Sequence, residues 1–200
     1  MHASGRRLIN ASIIPNRGAW LEFESDANGV ISVIIDRKRK IPVTTLLRAF
    51  GFSTDEEVLD LFCQTGVVKL RLKSARKNAI GKFLALDVIH PETGEVLYEA
   101  NTKIDEELFD QLSNGPVSEI RIVTTGETAF EYLCATVAKD TTHNSDEALV
   151  EIYQLLRPGE PPAIKNAQNL VENLFFRSRR YDLSRVGRYR MNKKLGLDIP

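Results

Sequence analysis

The chain has 200 residues, 42% of them apolar, enough for one ordinary hydrophobic core or a core with a smaller module inserted in it. Its 27 basic and 27 acidic residues balance, so composition points to neither a general nucleic-acid binder nor an acidic tail, and any electrostatic role must come from local clustering. Cys63 and Cys134 stand alone, which argues against a disulfide framework or a zinc site and fits two buried thiols in a reducing cytoplasm.

Arg6 to Ile14 reads as a strand that begins almost at once. Leu195 to Pro200 trails off after a basic helix, and the two abrupt ends together read as an excised segment. The sole tryptophan, Trp20, opens an alternating stretch in which Leu21 and Phe23 share one face and Trp20, Glu22 and Glu24 the other, so the indole is expected outside the core. A one-residue slip in register would turn it inward. Asp26, Asn28 and Gly29 supply a turn into the β-branched run Val30 to Ile35, which makes a hairpin. The run Arg37-Lys38-Arg39-Lys40 then emerges at the end remote from that turn, beside Arg17 and Trp20.

Pro42 to Phe50 reads as a short helix stopped by Gly51. Ser53 and Thr54 precede Asp55, Glu56 and Glu57 in a capping pattern, ahead of Val58, Leu61 and Phe62 at helical spacing. After Gly66 the texture changes. Val67 to Leu72 is strand-like, Ser74 to Ala79 a basic loop, Phe83 to Ile89 again strand-like, and His90 to Glu95 a turn into Val96 to Tyr98. Asp105 caps a helix that Ile104 and Phe109 staple, with Leu108 and Leu112 inward and Gly115 at its end, and Ile120 to Val123 returns as a strand. The expected organisation is 1–66 as the first part of a core, 67–138 as an inserted β-rich module, and 139–200 as the second part of the core; the fold class is α+β.

The core resumes with Ser145 capping a helix through Leu156, whose Leu149, Ile152, Tyr153 and Leu156 form one face. Arg157 to Pro162 is a stiff connector, with Pro162 expected to open the next helix, which carries Leu170, Val171, Leu174 and Phe175. RSRRYDLSRVGRYRMNKKLG follows, with eight cations against the single carboxylate of Asp182. For this segment and for Arg37 to Lys40 two readings stand: cations that solvate the outer side of an element, with Leu183, Val186 and Met191 packed inward in the second case, or cations that contact phosphate. An exposed indole among cations is the combination that binds unstacked bases while charge holds the backbone.

Motifs for phosphate-loop, dinucleotide, nucleophile-elbow or zinc-hydrolase chemistry are missing, and His2, His90 and His143 are scattered, so no catalytic residue or metal ligand is assigned. No apolar run approaches the roughly 20 residues of a membrane span. MHASGRRLIN also lacks the apolar region of a secretory signal.

Five blocks carry a resemblance: IIPNRGAWLEFE, IDRKRKIPVTTLLRAFGF, LVEIYQLLRPGEPP, ENLFF and RRYDLSRVGRYRMNKKLG. In order and spacing they resemble the lobe region of the β subunits of bacterial DNA-directed RNA polymerases. The stretch GKFLALDVIHPETGEVLYEANTKIDEELFDQLS is similar to the module inserted into that lobe in many lineages. The resemblance implies a non-catalytic lobe domain that lines the main cleft and contacts the downstream duplex and the non-template strand, with Trp20 stacking on an exposed non-template base. It carries Arg37, Lys40, Arg157 and Arg188 over as basic positions facing the nucleic acid, and the neighbouring Arg17, Arg39, Arg179, Arg180 and Arg190 are weaker candidates. It implies no cofactor in this segment, the magnesium of the full enzyme being held by β′. The implied partners are DNA, the α and β′ subunits, the rest of β and a σ factor, with a monomeric fragment, no membrane, and a cytoplasmic, nucleoid-associated location. The alternative is a protein-docking module for σ, β′ or transcription regulators with little direct DNA contact.

Overall fold

The computed structural model describes residues 8–199, apart from the side chain of Glu127. The start of the expected first strand at Arg6 and Arg7, His2 and Pro200 lie outside the described residues. The chain divides into two compact units, one holding the residues up to Thr54 and from Lys139 onward, the other Asp55–Ala138. The second unit therefore includes the helix after Thr54 and the residues up to Gly66, which the sequence reading grouped with the first part of the core.

The first unit is built on a four-stranded antiparallel meander, β1 (Asn10–Ile13), β2 (Leu21–Ser25), β3 (Ile31–Ile35) and β4 (Lys40–Pro42), in chain order. Leu21 pairs with Ile35 and Phe23 with Val33, so the register places the alternating apolar residues on the face that meets the helices. The strand β4 was not expected; Pro42 fits there because β4 is an edge, where a missing N–H removes no ladder bond that the sheet needs. The helix α1 (Val43–Ala49) consequently starts one residue after Pro42. Over the same face lie α6 (Ser145–Leu156) and α7 (Ile164–Phe175), and Val33, Ile35, Ile41, Leu46, Ile152 and Val171 meet in the core. Two helix starts differ from expectation. The cap of α6 is Asn144, whose side chain accepts from the Glu147 amide, and Pro162 lies ahead of the Ala163 cap of α7 rather than inside the helix.

A buried polar cluster ties α1 to the chain that re-enters this unit. The Arg48 guanidinium lies 3.5 Å from the Asp140 carboxylate, their side chains only 2% and 1% exposed. Thr44 and Thr45 donate to the same carboxylate, and Thr142 donates to it through both its amide and its hydroxyl. The final helix, α8 (Ser184–Leu195), buries only Asn192. Val186, expected to pack inward, is 63% exposed, and Leu183 and Met191 are half-buried, so α8 has no apolar seam of the kind its neighbours share.

The second unit has α2 (Asp55–Asp60), β5 (Gln64–Lys69), α3 (Ala75–Ala79), β6 (Val88–Ile89), β7 (Val96–Tyr98), α4 (Glu106–Asn114), β8 (Glu119–Thr125) and α5 (Glu127–Val137). Its strands form two antiparallel pairs, β5 with β8 and β6 with β7. Leu84, Ile104, Leu112, Ile120 and Ile122 fill its core. The expected cap is present, Asp105 accepting from the Leu108 amide at 2.8 Å, and the stapling pair Ile104 and Phe109 is buried. Elsewhere local detail departs from expectation. Leu59 rather than Leu61 or Phe62 turns inward on α2, and the basic loop is the helix α3, whose Arg76 is paired with Glu106 and Asp110. The helix α5 carries no signal that the sequence reading used. No helix among the described residues is long and apolar enough to cross a membrane.

Candidate nucleic-acid interface

Trp20 sits at the mouth of β2, where the β3–β4 turn folds back on it. Asp36 and Arg37 both take positive φ, 47° and 58°, and the Lys38 amide closes the turn on the Ile35 carbonyl at 3.0 Å. Such a turn matches the right-handed twist of its strands. It also aims Arg37 at the indole: the guanidinium carbon lies 4.8 Å from the ring centroid, a cation–π contact worth ~0.5–1 kcal/mol at an exposed site. The backbone locks this pair, because the Trp20 amide donates to Asp36 Oδ1 at 2.8 Å and the Asp36 amide donates to the Trp20 carbonyl at 3.0 Å. Trp20 is half-buried, on the side of the sheet opposite Leu21.

On the other side of Trp20 the entering chain is clamped to the basic segment. Arg17 and Asp182 exchange two backbone bonds of 3.1 and 2.8 Å, and the Arg17 guanidinium donates to the Arg179 carbonyl at 2.9 Å. Gly18 makes the approach possible. Its φ is +121°, and a Cβ there would stand 2.5 Å from Tyr181 Cδ2. Arg17 therefore serves as the tie that holds residues 179–182 against the chain entering β2, with its side chain already committed.

Next to this junction lies a pocket of about 490 Å³ lined by Gly18, Asp36, Arg157, Arg180 and one polar face of α7. Asn166, Asn169 and Asn173 supply that face. Their i, i+3, i+7 spacing was visible in the sequence and passed over, as was Asp36. Arg180 is exposed without a carboxylate partner among the described residues. Arg157 lies 3.5 Å from Glu160, whose other oxygen accepts from the Tyr153 hydroxyl at 2.7 Å. That bond, followed by burial, pushes the Tyr153 phenol up.

The remaining cations predicted from sequence are dispersed. Lys40 lies 2.9 Å from Glu24, and this bond raises its pKa. Arg39 is 3.9 Å from Glu151 and largely exposed. Arg179, Arg188 and Arg190 are exposed, the last two on α8, and none lines the pocket. Among the described residues no group of carboxylates, cysteines and histidines could hold a metal ion.

The neutral total conceals a separation of charge between the units. Residues 55–138 carry fifteen acidic and eight basic side chains, and the rest of the chain twelve and nineteen. The cationic surplus thus belongs to the unit that carries Trp20.

The family model described as RNA polymerase Rpb2, domain 2, matches residues 2–117 and 103–200. The chain is 38% identical over 217 residues to the DNA-directed RNA polymerase subunit beta of Flavobacterium psychrophilum, covering 100% of this chain and 17% of that subunit. It is 38% identical over 215 residues to the corresponding subunit of Phocaeicola vulgatus, with 98% of this chain and 17% of that one covered. Against the subunit of Chlorobium chlorochromatii the identity is 38% over 200 residues, with 98% and 15% covered. The chain thus spans about a sixth of the length of the curated relatives it matches. By this match along nearly its whole length, the chain belongs to the RNA polymerase Rpb2 domain 2 family.

Proposed function

We propose that this domain is a non-catalytic wall of the main cleft in a bacterial DNA-directed RNA polymerase, contacting the downstream duplex and the non-template strand. It would work in the cytoplasm, on the nucleoid, within an assembly of α, β′, σ and the rest of β, where another subunit holds the magnesium. The observation that carries the reading is the Trp20–Arg37 pair, held at the entry to β2 by backbone bonds to Asp36, with Arg157 and Arg180 in the pocket that Asp36 also lines. A base that stacks on Trp20 uses the indole face that Arg37 leaves, or displaces the guanidinium toward the adjoining phosphate. Either way the same two side chains supply a π surface and a counter-charge, at ~1–3 kcal/mol for the stacked base.

Arg37 lies over this platform, Arg157 and Arg180 line the pocket next to the β2 entry, and the dispersed Arg39, Arg179, Arg188 and Arg190 would add further phosphate contacts. Lys40 contributes through charge it shares with Glu24. Binding by this surface is weak, salt-sensitive and largely indifferent to sequence, because phosphate neutralisation releases counterions and few bases are touched. Charge reversal tests it. With single-stranded oligonucleotides, Arg37→Glu and Arg180→Glu should each weaken binding and lower the slope of log affinity against log salt by about one. Unchanged affinity and slope in both variants would remove DNA contact from this unit.

A further inference from the structure

The acidic unit carries a surface feature that the DNA reading leaves unused. The hairpin of β6 and β7 pairs Ile89 directly with Val96, and both side chains are more than half exposed, at 53% and 52%. They border a groove of about 600 Å³ that continues over Leu86 and along α5 to Cys134 and Val137, all three half-buried. Apolar side chains supply most of its lining. The Cys134 thiol is pushed up to about 12, first by burial and then by Cys63, Asp55 and Asp87, so at physiological pH the floor is uncharged.

The rim is acidic. Asp55, Asp87 and Glu99 line it, all exposed, and no lysine or arginine is among the lining residues. Asp87 is held in place by the Ala100 amide, which donates to Oδ1 at 2.6 Å, and Glu99 has no cationic partner among the described residues. A groove of this kind repels phosphates. It suits instead a ligand with apolar side chains for the floor and cations for the rim.

We propose that the groove between the β6–β7 hairpin and α5 is a docking site for a protein segment that is both amphipathic and basic, with an apolar stripe flanked by lysine or arginine. The charge complementarity rests on the rim and on the unit's excess of fifteen acidic over eight basic residues. The proposal is independent of the DNA contacts assigned to the other unit and survives their failure.

The test uses the whole chain, isotopically labelled, titrated with a short helical peptide carrying leucine on one face and lysine on the other. Controls are the same peptide with glutamate for lysine, and a DNA duplex. The lysine peptide should shift amide signals of residues 85–89, 96–100 and 134–138. The double variant Ile89→Ser with Val96→Ser should weaken it roughly tenfold by removing apolar contact, and Glu99→Lys should weaken it as well. All three positions are exposed, so the fold is expected to survive, as an unchanged amide spectrum outside the groove would show. The proposal fails if the peptide does not bind or if the shifts centre on Glu106, Glu107 and Asp110 of α4. It also fails if the serine variant binds as well as the parent, which would mean charge adhesion alone, or if the glutamate peptide or the DNA occupies the groove equally.

Discussion

Gly18 is where the whole basic junction depends on one missing methyl. Its φ of +121° and the 2.5 Å a Cβ would leave to Tyr181 Cδ2 forbid any other residue without movement of the Arg17–Asp182 bridge. Gly18→Ala should therefore cost about 2–3 kcal/mol in urea unfolding, backbone strain and a steric clash acting together. A variant as stable as the parent would mean that residues 179–182 are not seated on the β2 entry. The sequence marked Arg17, Gly18 and Trp20 as a group through their adjacency. It could not show that Arg17 spends its guanidinium on a carbonyl 162 positions away. Contacts of that separation leave no periodic trace, so a committed cation and a free one look alike in a sequence.

At the scale of elements, legibility followed local chemistry. The β2–β3 hairpin was readable because alternation and a turn sequence agree, and α4 because Asp105, Ile104 and Phe109 form a cap and staple within six residues. The strand β4 was not, since its Lys-Ile-Pro sequence resembles the start of a helix and only the sheet edge beside β3 recruits it. The helix α5 was also missed, because Gly126, not a polar capping side chain, precedes it. The Arg48–Asp140 cluster joins α1 to a loop over ninety residues later, and no motif announces it. Its burial makes a sharp prediction. Asp140→Ala should destabilise the first unit by about 3–5 kcal/mol, because it removes a buried carboxylate that pairs with Arg48 and accepts from Thr44, Thr45 and Thr142. Denaturation followed through Trp20 reads this unit, as no other tryptophan is present. A cost below about 1 kcal/mol would mean that water reaches the pair.

Across the whole molecule the informative quantity is the division of charge, not its sum. A chain of zero net charge excludes a uniform electrostatic role, but nineteen of its twenty-seven cations fall outside residues 55–138 and fifteen of its twenty-seven acids inside. The sequence alone gave the ingredients for this observation, and only the unit boundaries at Thr54 and Lys139 allow the two sums to be taken separately. The proposed roles follow this division: phosphate and base for the first unit, a cationic protein segment for the second. Arg37 over the indole joins the first of these roles to the local geometry. Titration of the chain with single-stranded DNA, read by Trp20 fluorescence at low and at moderate salt, tests the central claim most directly. The account predicts a change in emission that weakens as salt rises and is shifted in Arg37→Glu to higher DNA concentration, while Trp20→Ala loses the signal and also binds more weakly by anisotropy of labelled DNA. An emission spectrum unmoved by DNA that binds the chain at both salts would contradict it, because the indole would then have no part in holding the strand.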